Sequence, residues 1–254
     1  MSVVVVVSMK GGVGKTSVTA NLAVAMAAEL GEGCISTVDL DPQNALHLHL
    51  GLDALERQSV CRQSLRRRNW RDVLVGSAYG VNCIPYGAVS EAEREAFENI
   101  LASEPDWLGR QLAQSGLGED DVVLIDLPPG PSVYLNQAFA CADLVLIVLL
   151  PDAGSYSTIM AMESWIEQMR FQRPDLETVY LLNQMDEAVR LNRDMGEVLR
   201  QRLGKRLLPV GIHRDEAVSE ALAFLQPVLV YDPRCQATQD FQRLASCLLE
   251  PSAR

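Results

Sequence analysis

The sequence predicts an α/β fold in which a mostly parallel, twisted sheet of about seven to eight strands is covered by helices on both faces. Continuous runs of β-branched and apolar residues alternate with longer segments of helical periodicity. A glycine-rich loop joins the first of these runs, at residues 3–8, to the first helix. Aspartates follow two further runs, at the sheet edge where ligands bind in proteins of this class.

The elements follow from hydrophobic periodicity and from the residues that start and stop it. We expect strands at residues 3–8, 34–40, 81–85, 121–126, 142–150, 178–182 and 207–210, with a short extended piece at 228–231. We expect helices at residues 16–30, 90–101, 105–113, 155–169, 187–203, 216–224 and 238–249, and a short one within 69–75 capped by Asn69. Strand, helix and strand within the first forty residues require the first two strands to be parallel. Without a repeat or a linker, residues 1–254 are expected to form one domain.

Composition narrows the class of protein. The hydrophobic share of 48% and the charged share of 22% are ordinary for a soluble globular chain. A net charge of -11 argues against a surface devoted to nucleic acid or to an anionic membrane. The six cysteines lack metal-ligand spacing, which favours free thiols in a reducing cytosol. No signal peptide and no apolar run of ~20 residues is present. We therefore expect a cytoplasmic protein that could reach the inner face of the inner membrane or the cell pole only through partners.

The loop at residues 10–16 reads KGGVGKT and has the order strand, glycine loop, helix that phosphate binding requires. Its glycines let main-chain N–H groups approach phosphate oxygens, and the helix N-terminus adds partial positive charge. Lys15 can reach the β- and γ-phosphates, the Thr16 hydroxyl can ligate Mg²⁺, and Ser17 can donate to a further oxygen. The predicted nucleotide-binding residues of the loop are Gly11, Gly12, Val13, Gly14, Lys15, Thr16 and Ser17.

The loop departs from the strict G-x-x-x-x-G-K-[ST] pattern because its first position is Met9. The pattern that fits is K-G-G-x-G-K-T, with a second lysine, Lys10, at its head. The chain has three lysines, Lys10, Lys15 and Lys205, and two of them lie in this loop. That concentration favours phosphate binding over the alternative interpretation, a plain glycine turn between a strand and a helix.

Three aspartates lie at the carboxyl ends of predicted strands, where sheets of this kind bind ligands. Asp39 and Asp41 end the second strong run, and Asp126 ends the third. A Mg²⁺-nucleotide needs oxygen ligands, acceptors for metal-bound water, and a group that orients the attacking water. Plain turn or helix-cap aspartates are the alternative interpretation. The segment LPPGP at residues 127–131 is a stiff turn that suits a switch loop sensing the γ-phosphate.

Three motifs together resemble one family. KGGVGKT at residues 10–16, VDLDPQNA at 38–45 and VLIDLPPGP at 123–131 are similar to the deviant-Walker ATPases of the ParA/MinD group, and residues 217–233 resemble the ParA-type ending. The resemblance implies a P-loop NTPase fold, with ATP and Mg²⁺ as cofactors. It also implies that ATP closes a homodimer and that hydrolysis opens it.

The resemblance assigns roles to the catalytic candidates Lys10, Lys15 and Asp41. Lys15 matches the lysine that holds the β- and γ-phosphates. Lys10 matches the signature lysine that reaches the nucleotide of a second subunit, where a second cation neutralises charge on the transferred phosphoryl group. Asp41 matches the acid that positions or activates water.

The same resemblance assigns the metal and base sites. Thr16 matches the Mg²⁺ ligand, Asp126 the Walker B acid acting through metal-bound water, and Asp39 a supporting acid near the metal. Asn183 lies where the family often recognises adenine. Pro209 opens a loop, residues 209–215, that would also line the base.

The middle of the chain narrows the resemblance. NWRDVLV at residues 69–75, CIPYGAVSEAE at 83–93 and PDWLGRQL at 105–112 are similar to the BcsQ (YhjQ) subfamily, which accompanies bacterial cellulose synthase. The alternative is that these are helices packing on a generic ParA-like core. The subfamily implies an ATP-driven dimerisation switch that localises or regulates a cellulose synthesis and secretion machine, with small regulatory proteins and synthase components as partners.

Other roles within the ParA/MinD group fit less well. A ParA-type partition ATPase would bind DNA non-specifically through a basic surface, which the acidic balance opposes. An arginine cluster keeps that alternative open; its members are Arg57, Arg62, Arg66, Arg67, Arg68 and Arg71. A solvated helical face is the other interpretation of the cluster. The C-terminal helix looks like part of the fold, unlike a MinD-type membrane helix. No cysteine lies between residues 126 and 140, so an iron–sulfur reductase is excluded.

Overall fold

The fold was analysed in a computed structural model that describes residues 1–52 and 58–250. The strands are β1 (Ser2–Val7), β2 (Ile35–Asp39), β3 (Val75–Gly76), β4 (Val81–Ile84), β5 (Val122–Asp126), β6 (Leu144–Leu149) and β7 (Glu177–Leu182). The helices are α1 (Lys15–Leu30), α2 (Leu46–His49), α3 (Val60–Leu65), α4 (Glu91–Ser103), α5 (Trp107–Gln114), α6 (Val133–Cys141), α7 (Ala153–Gln172), α8 (Arg190–Leu203), α9 (Glu216–Ala223), α10 (Val228–Tyr231) and α11 (Gln236–Leu249). Two 3₁₀ turns, Trp70–Val73 and Gly204–Arg206, complete the described elements.

One sheet organises the described residues. Its order is β3-β4-β2-β5-β1-β6-β7, and every pairing is parallel except the edge pair of β3 with β4. The predicted α/β class with a mostly parallel sheet is confirmed, and so is the parallel direction of β1 and β2. These two strands are not neighbours, because β5 lies between them and pairs with both. The order therefore changes direction next to β1, which is where parallel sheets of this kind open a crevice for ligands.

Alternate residues of the buried strands pack into two hydrophobic cores, one on each face of the sheet. In β1, Val3, Val5 and Val7 contact one core and Val4 and Val6 contact the other. The first core lies under α3 to α8, and the second lies under α1, α2 and α9 to α11. Such strands read as continuous apolar runs because both faces are covered. The run of valines in β1 is therefore explained by the central position of this strand in the sheet.

Helix starts follow the local chemistry that the sequence predicts. Ser90 and Glu93 form a complete capping box at the start of α4, and the Asn69 side chain accepts the Arg71 amide at 2.7 Å. The Asn69-capped segment is only a single 3₁₀ turn, since the chain then pairs with β4 as the short strand β3. Five of the described elements were not predicted: α2, α3, β3, α6 and the 3₁₀ turn Gly204–Arg206.

Two predicted extended segments are wrong. Residues 207–210 make only an isolated bridge between Leu207 and Tyr180, since Pro209 has no N–H group with which to continue the ladder. Residues 228–231 form the short helix α10. Its Val230 and Tyr231 amides donate to the Pro227 carbonyl, which satisfies them without a strand partner.

Candidate functional site

The glycine loop between β1 and α1 has the backbone that its sequence requires. Gly12 and Gly14 have φ of 75° and 85°, in the left-handed region that glycine tolerates best. Gly14 is also the residue immediately before α1, so the amides of the first helical turn open toward the loop. A Cβ atom at Gly14 would lie 2.6 Å from the Asn183 amide nitrogen. Both the dihedral angle and the space therefore demand glycine at this position.

The Lys15 side chain is enclosed by the loop, and its ammonium makes no hydrogen bond or ion pair with any residue in the described parts of the chain, although the Lys15 carbonyl accepts the Thr19 hydroxyl at 3.0 Å. Its exposed fraction is only 7%. Nearby charge is supplied by Asp126, whose ionisation Lys15 favours. An ammonium group that is largely buried without a hydrogen-bonding partner suits a bound anion. The geometry of the loop therefore fits the phosphate contact expected of Lys15.

Asp126 lies at the carboxyl end of β5, directly beside the start of α1. The Thr16 hydroxyl donates to its carboxylate at 2.6 Å, and the Thr19 hydroxyl does so at 3.4 Å. Asp126 is fully buried, and burial raises the pKa of its carboxyl even though Thr16 and Lys15 act in the opposite direction. Thr16 and Asp126 thus form the oxygen pair that a hard divalent cation prefers.

Asp39 is the partner of Asp126 across the sheet, because the two residues are in register at the ends of β2 and β5. It is also fully buried, and burial followed by the charge of Asp126 raises the pKa of its carboxyl. Its carboxylate accepts the Asp41 amide at 2.9 Å and the Leu46 amide at 3.2 Å. Asp39 therefore shapes the turn that carries Asp41, besides adding negative charge near the predicted metal position.

Asp41 is half-buried at the start of that turn. Its carboxylate accepts the Gln43 amide at 2.9 Å, which leaves its other oxygen without a hydrogen bond to the described residues. Asp41 is thus both positioned and accessible, as a residue that orients water must be. Its neighbour Leu40 donates to the Asp126 carbonyl at 2.9 Å, so the two aspartate-bearing strand ends are joined through the backbone.

Lys10 lies at the outer side of the loop and is 40% exposed. Its ammonium contacts the Asp152 carboxylate at 2.7 Å, and Asp152 also caps α7 by accepting the Ser155 amide at 2.6 Å. Burial raises the pKa of Asp152, but hydrogen bonds from Lys10 and Ser155 outweigh it and hold that pKa below its ordinary value. The Lys10 side chain is therefore directed toward the start of α7.

The LPPGP segment contacts the glycine loop directly. The Gly130 amide donates to the Ser8 carbonyl at 2.9 Å, and the Ser8 hydroxyl donates to the Lys10 carbonyl at 2.7 Å. A Cβ atom at Gly11 would lie 3.8 Å from the Pro129 ring. A displacement of the segment would therefore be transmitted to the residues that carry Lys10.

A cavity of about 480 Å³ opens beside the start of α1. Gly14 and Ser17 form one wall, Asn183 lies beside them, and residues 212–216 and 218–220 form much of the opposite side. The volume suits a nucleoside. Asn183 is buried and donates to the Val13 carbonyl at 2.7 Å, so it links the end of β7 to the glycine loop. Pro209 is exposed and lies outside this lining, so the geometry does not support the predicted base contact there.

The arginine cluster is only partly free in the described structure. Arg62 pairs with Glu93 at 2.9 Å, and Arg67 pairs with Glu104 at 2.6 Å. Arg57 lies outside the described residues. The two ion pairs show that part of the cluster stabilises the α3–α4 side of the fold. Surface pairs of this kind are each worth less than about 1 kcal/mol.

Sequence reasoning missed several residues of the site. Asp152 was not selected, although an aspartate followed three residues later by serine is a recognisable helix start. Thr19 was missed because one further hydroxyl in α1 gives no separate signal. His213 lies in the loop at residues 209–215 that was expected to line the base, but it was not selected individually, and its buried partner Asp240 was not identified.

The described residues define a class of protein: an α/β ATPase-like fold with a deviant P-loop, an aspartate at the end of a neighbouring strand, and a nucleoside-sized cavity. A family model described as cellulose biosynthesis protein BcsQ matches residues 1–249. The chain belongs to the BcsQ family. It is 31% identical over 245 residues to the putative cellulose biosynthesis protein BcsQ of Escherichia coli K12, with 96% of each chain covered.

More distant proteins place the family within a larger group. The chromosome partitioning protein ParA of Caulobacter vibrioides NA1000 is 29% identical over 259 residues, which cover 96% of this chain and 92% of that one. The septum site-determining protein MinD of Pyrococcus horikoshii, complexed with Mg-ADP, has a TM-score of 0.77 at 24% identity over 99% of this chain and 97% of that one. The P-loop NTPase fold and the resemblance to the ParA/MinD group are confirmed. No helix in the described ranges combines the length and the apolar character needed to cross a membrane.

Proposed function

We propose that the protein is a Mg²⁺-dependent ATPase that acts as a dimerisation switch for a bacterial cellulose synthesis and secretion machine. Membership of the BcsQ family supports the cellulose role, and the Mg-ADP complex of MinD supports the cofactors. The observation that carries the ATPase proposal is the enclosed Lys15 beside the Thr16–Asp126 pair. Residues 1–254 would act as one domain, because both cores pack against a single sheet.

The residues suggest a division of labour. Lys15 would hold the β- and γ-phosphates, Thr16 would ligate Mg²⁺, and Asp126 would accept a hydrogen bond from metal-bound water. Mg²⁺ would supply charge neutralisation at the phosphates. Asp41 would orient the attacking water and receive its proton. These four residues belong to one chain and lie after the carboxyl end of β2, at the carboxyl end of β5 or at the start of α1.

Lys10 would complete the site of a second copy. Among the described residues its ammonium contacts Asp152, and it is not part of the cavity lining. A cation delivered in trans would stabilise the charge that develops in phosphoryl transfer only after two copies meet. ATP binding would then be a property of one copy, and hydrolysis a property of two.

Size measurement by light scattering, with and without a non-hydrolysable ATP analogue, tests the proposal. The wild-type protein should become a dimer with the analogue. Asp41→Ala should bind ATP and remain dimeric, while Lys10→Ala should bind ATP and remain a monomer. A wild-type protein that binds the analogue and stays monomeric at high concentration would contradict the switch.

The biological partners need a separate experiment. We propose that the ATP-bound dimer engages small regulatory proteins and components of the cellulose synthase complex on the cytoplasmic side of the inner membrane. Pull-down from a cellulose-producing host with the Asp41→Ala dimer and the Lys10→Ala monomer as matched baits would test this. Enrichment of synthase components on the dimer is expected, and equal recovery on both baits would argue against control by dimerisation.

A partition role is the second candidate, and the ParA relative is the observation in its favour. The net charge of -11 and the ion pairs of Arg62 and Arg67 oppose it. Non-specific DNA binding in low salt, seen with the ATP analogue and lost in Lys10→Ala, would support this role. No DNA binding at about 50 mM salt would exclude it.

A further inference from the structure

The lining of the 480 Å³ cavity includes a histidine that the phosphate chemistry does not use, and a buried carboxylate lies behind that histidine. His213 lines the cavity, and its side chain is 33% exposed. Its ring nitrogen Nδ1 lies 2.8 Å from the carboxylate of Asp240, a residue of α11 that is 1% exposed. The two residues come from different parts of the chain and meet at the mouth of the predicted nucleoside site.

The backbone that carries His213 is held on both sides. The Ile212 amide donates to the Leu182 carbonyl, and the Met185 amide donates back to the Ile212 carbonyl, each at 2.9 Å. The Arg214 amide donates to the Met185 carbonyl at 2.8 Å. Backbone hydrogen bonds therefore hold this loop against the end of β7, next to Asn183. A side chain on such a backbone has a defined position before any ligand arrives.

Asp240 determines which nitrogen of His213 carries hydrogen. Its carboxylate accepts the His213 amide at 2.9 Å and the Gln236 side-chain amide at 2.9 Å, and the Arg243 guanidinium lies 3.8 Å away. These donors favour a carboxylate that only accepts, so the Nδ1 atom of His213 must be the donor to it. A neutral imidazole with hydrogen on Nδ1 presents Nε2 as an acceptor. Nε2 makes no hydrogen bond with any residue of the described ranges.

The neighbouring lining groups also present acceptors. Asp215 already accepts the Ala217 amide at 3.0 Å and the Ala237 amide at 3.2 Å, and Glu220 accepts the Tyr231 hydroxyl at 3.1 Å. Hydrogen-bond acceptors along this side of the cavity are complementary to an amino group on a base, and they repel a carbonyl oxygen at the same place. Adenine carries an amino group at position 6, whereas hypoxanthine carries an oxygen there.

We propose that His213 is a specificity-determining residue that accepts a hydrogen bond from the 6-amino group of the nucleobase, and that Asp240 is its positioning residue. This inference rests on the proposed nucleotide-binding function and adds the group that distinguishes one purine from another. Phosphate binding by Lys15 and Thr16 is independent of it. The base preference and the phosphate affinity can therefore be lost separately.

Calorimetric titration of the full chain with Mg-ADP and Mg-IDP tests the proposal, since diphosphates avoid coupled dimerisation. The wild-type protein should bind ADP about ten-fold more tightly than IDP, the factor expected for one partly exposed hydrogen bond. His213→Phe keeps a planar ring but removes the acceptor. It should weaken ADP binding until the two affinities are within about two-fold of each other. Retention of the wild-type preference in a folded His213→Phe protein would overturn the proposal.

Two controls separate this inference from the function on which it rests. Lys15→Ala should abolish binding of both nucleotides, whereas His213→Phe should bind IDP at least as tightly as the wild-type protein does, because the acceptor that opposes the 6-oxygen is gone. If the wild-type protein binds neither nucleotide, the proposed function fails and this inference fails with it. If it binds both equally, the function stands and the role of His213 is wrong. Thermal unfolding of each variant verifies that it is folded.

The role of Asp240 needs a measurement that general loss of structure would not reproduce. The chain has three histidines, so ¹⁵N imidazole spectra are simple, and the His213 signals are those absent from His213→Phe. We expect hydrogen on Nδ1 in the wild-type protein and a mixture of tautomers in Asp240→Asn, with a reduced preference for ADP. An unchanged tautomer and an unchanged preference in Asp240→Asn would overturn the positioning role.

Discussion

The inner and outer parts of the phosphate site are built differently. The inner part consists of Lys15, Asp39 and Asp126, all buried at strand ends or at the start of α1. The outer part is the Lys10–Asp152 pair, whose side chains are 40% and 36% exposed. Burial makes the inner electrostatics strong, while solvent weakens the outer pair. The difference suggests that the inner part binds the nucleotide and its metal ion, and that Lys10 in the outer part can leave Asp152 for another partner.

The largest expected effect is at Lys15. Lys15→Ala should weaken ATP binding by at least about 100-fold, equal to roughly 3 kcal/mol, since a buried cation–anion contact is lost. Calorimetric titration with Mg-ATP measures it. Lys205→Ala is the matched control, because it removes an exposed lysine outside the loop. If both variants bind ATP as the wild-type protein does, the inner part is not the phosphate site.

The next effect concerns pH and the helix that follows Asp41. Burial lowers the pKa of His49 in α2 to about 4, below its unfolded value near 6.5. As the pH falls, the unfolded chain therefore binds a proton at His49 before the folded protein does. The free energy of unfolding is not reduced by His49 above about pH 6.5, and it decreases as the pH falls from there toward pH 4. The loss should approach roughly 2–3 kcal/mol of the free energy of unfolding.

Urea unfolding between pH 4 and pH 7 measures the effect of His49. The raised pKa values of Asp39 and Asp126 act in the opposite sense, because their protonated forms are favoured in the folded protein. His49→Gln separates the two contributions, since the variant keeps both aspartates. The wild-type and His49→Gln stabilities should diverge as the pH falls. Parallel curves would show that His49 is not buried in its neutral form.

A smaller effect is expected when one of the two neighbouring buried carboxylates is neutralised. Asp126→Asn should raise the free energy of unfolding of the nucleotide-free protein by about 1–2 kcal/mol, because burial and the charge of Asp41 both disfavour a charge at this position. The same variant should lose the Mg²⁺ dependence of ATP binding. Asp120→Asn, at an exposed position, is the control. A destabilised Asp126→Asn would mean that the hydrogen bonds from Thr16 and Thr19 outweigh the charge.

The smallest effect separates the two members of the outer pair. Lys10→Ala should change the free energy of unfolding by less than about 0.5 kcal/mol, as expected for an exposed ion pair. Asp152→Ala should cost about 1 kcal/mol because it also removes the cap of α7. Chemical denaturation measures both. A larger loss for Lys10→Ala would indicate a structural role and weaken its assignment to the second subunit.

The sequence predicted most of the inner part and little of the outer part. Hydrophobic periodicity gives the ends of β2 and β5, and the carboxyl ends of parallel strands lie at the same end of the sheet, so Asp39 and Asp126 could be expected near one ligand site from the sequence. Lys10 was identified from its motif, but its contact with Asp152 joins residues 142 positions apart. The same limit applies to His213 and Asp240, which belong to different elements. Local spacing does not encode such pairs.

Errors in the fold have similar causes. Residues 207–210 and 228–231 have β-branched and apolar residues, and their extended assignment assumed a neighbouring strand that the sheet does not offer. The helix α6 was not predicted because it follows directly on the proline-rich turn at residues 127–131, which signals a loop. Its start is marked by Ser132, whose side chain accepts the Leu135 amide at 3.1 Å.

The edges of the sheet have a consequence for self-association. At one edge, β3 has only two residues, which is too short to template another strand. At the other, Pro209 interrupts pairing beside β7 after a single bridge. Both edges are therefore protected against strand addition, the route by which sheets aggregate. The dimer proposed above would therefore not form by strand addition; contact across the loops at the carboxyl ends of the strands would make association depend on what those loops hold.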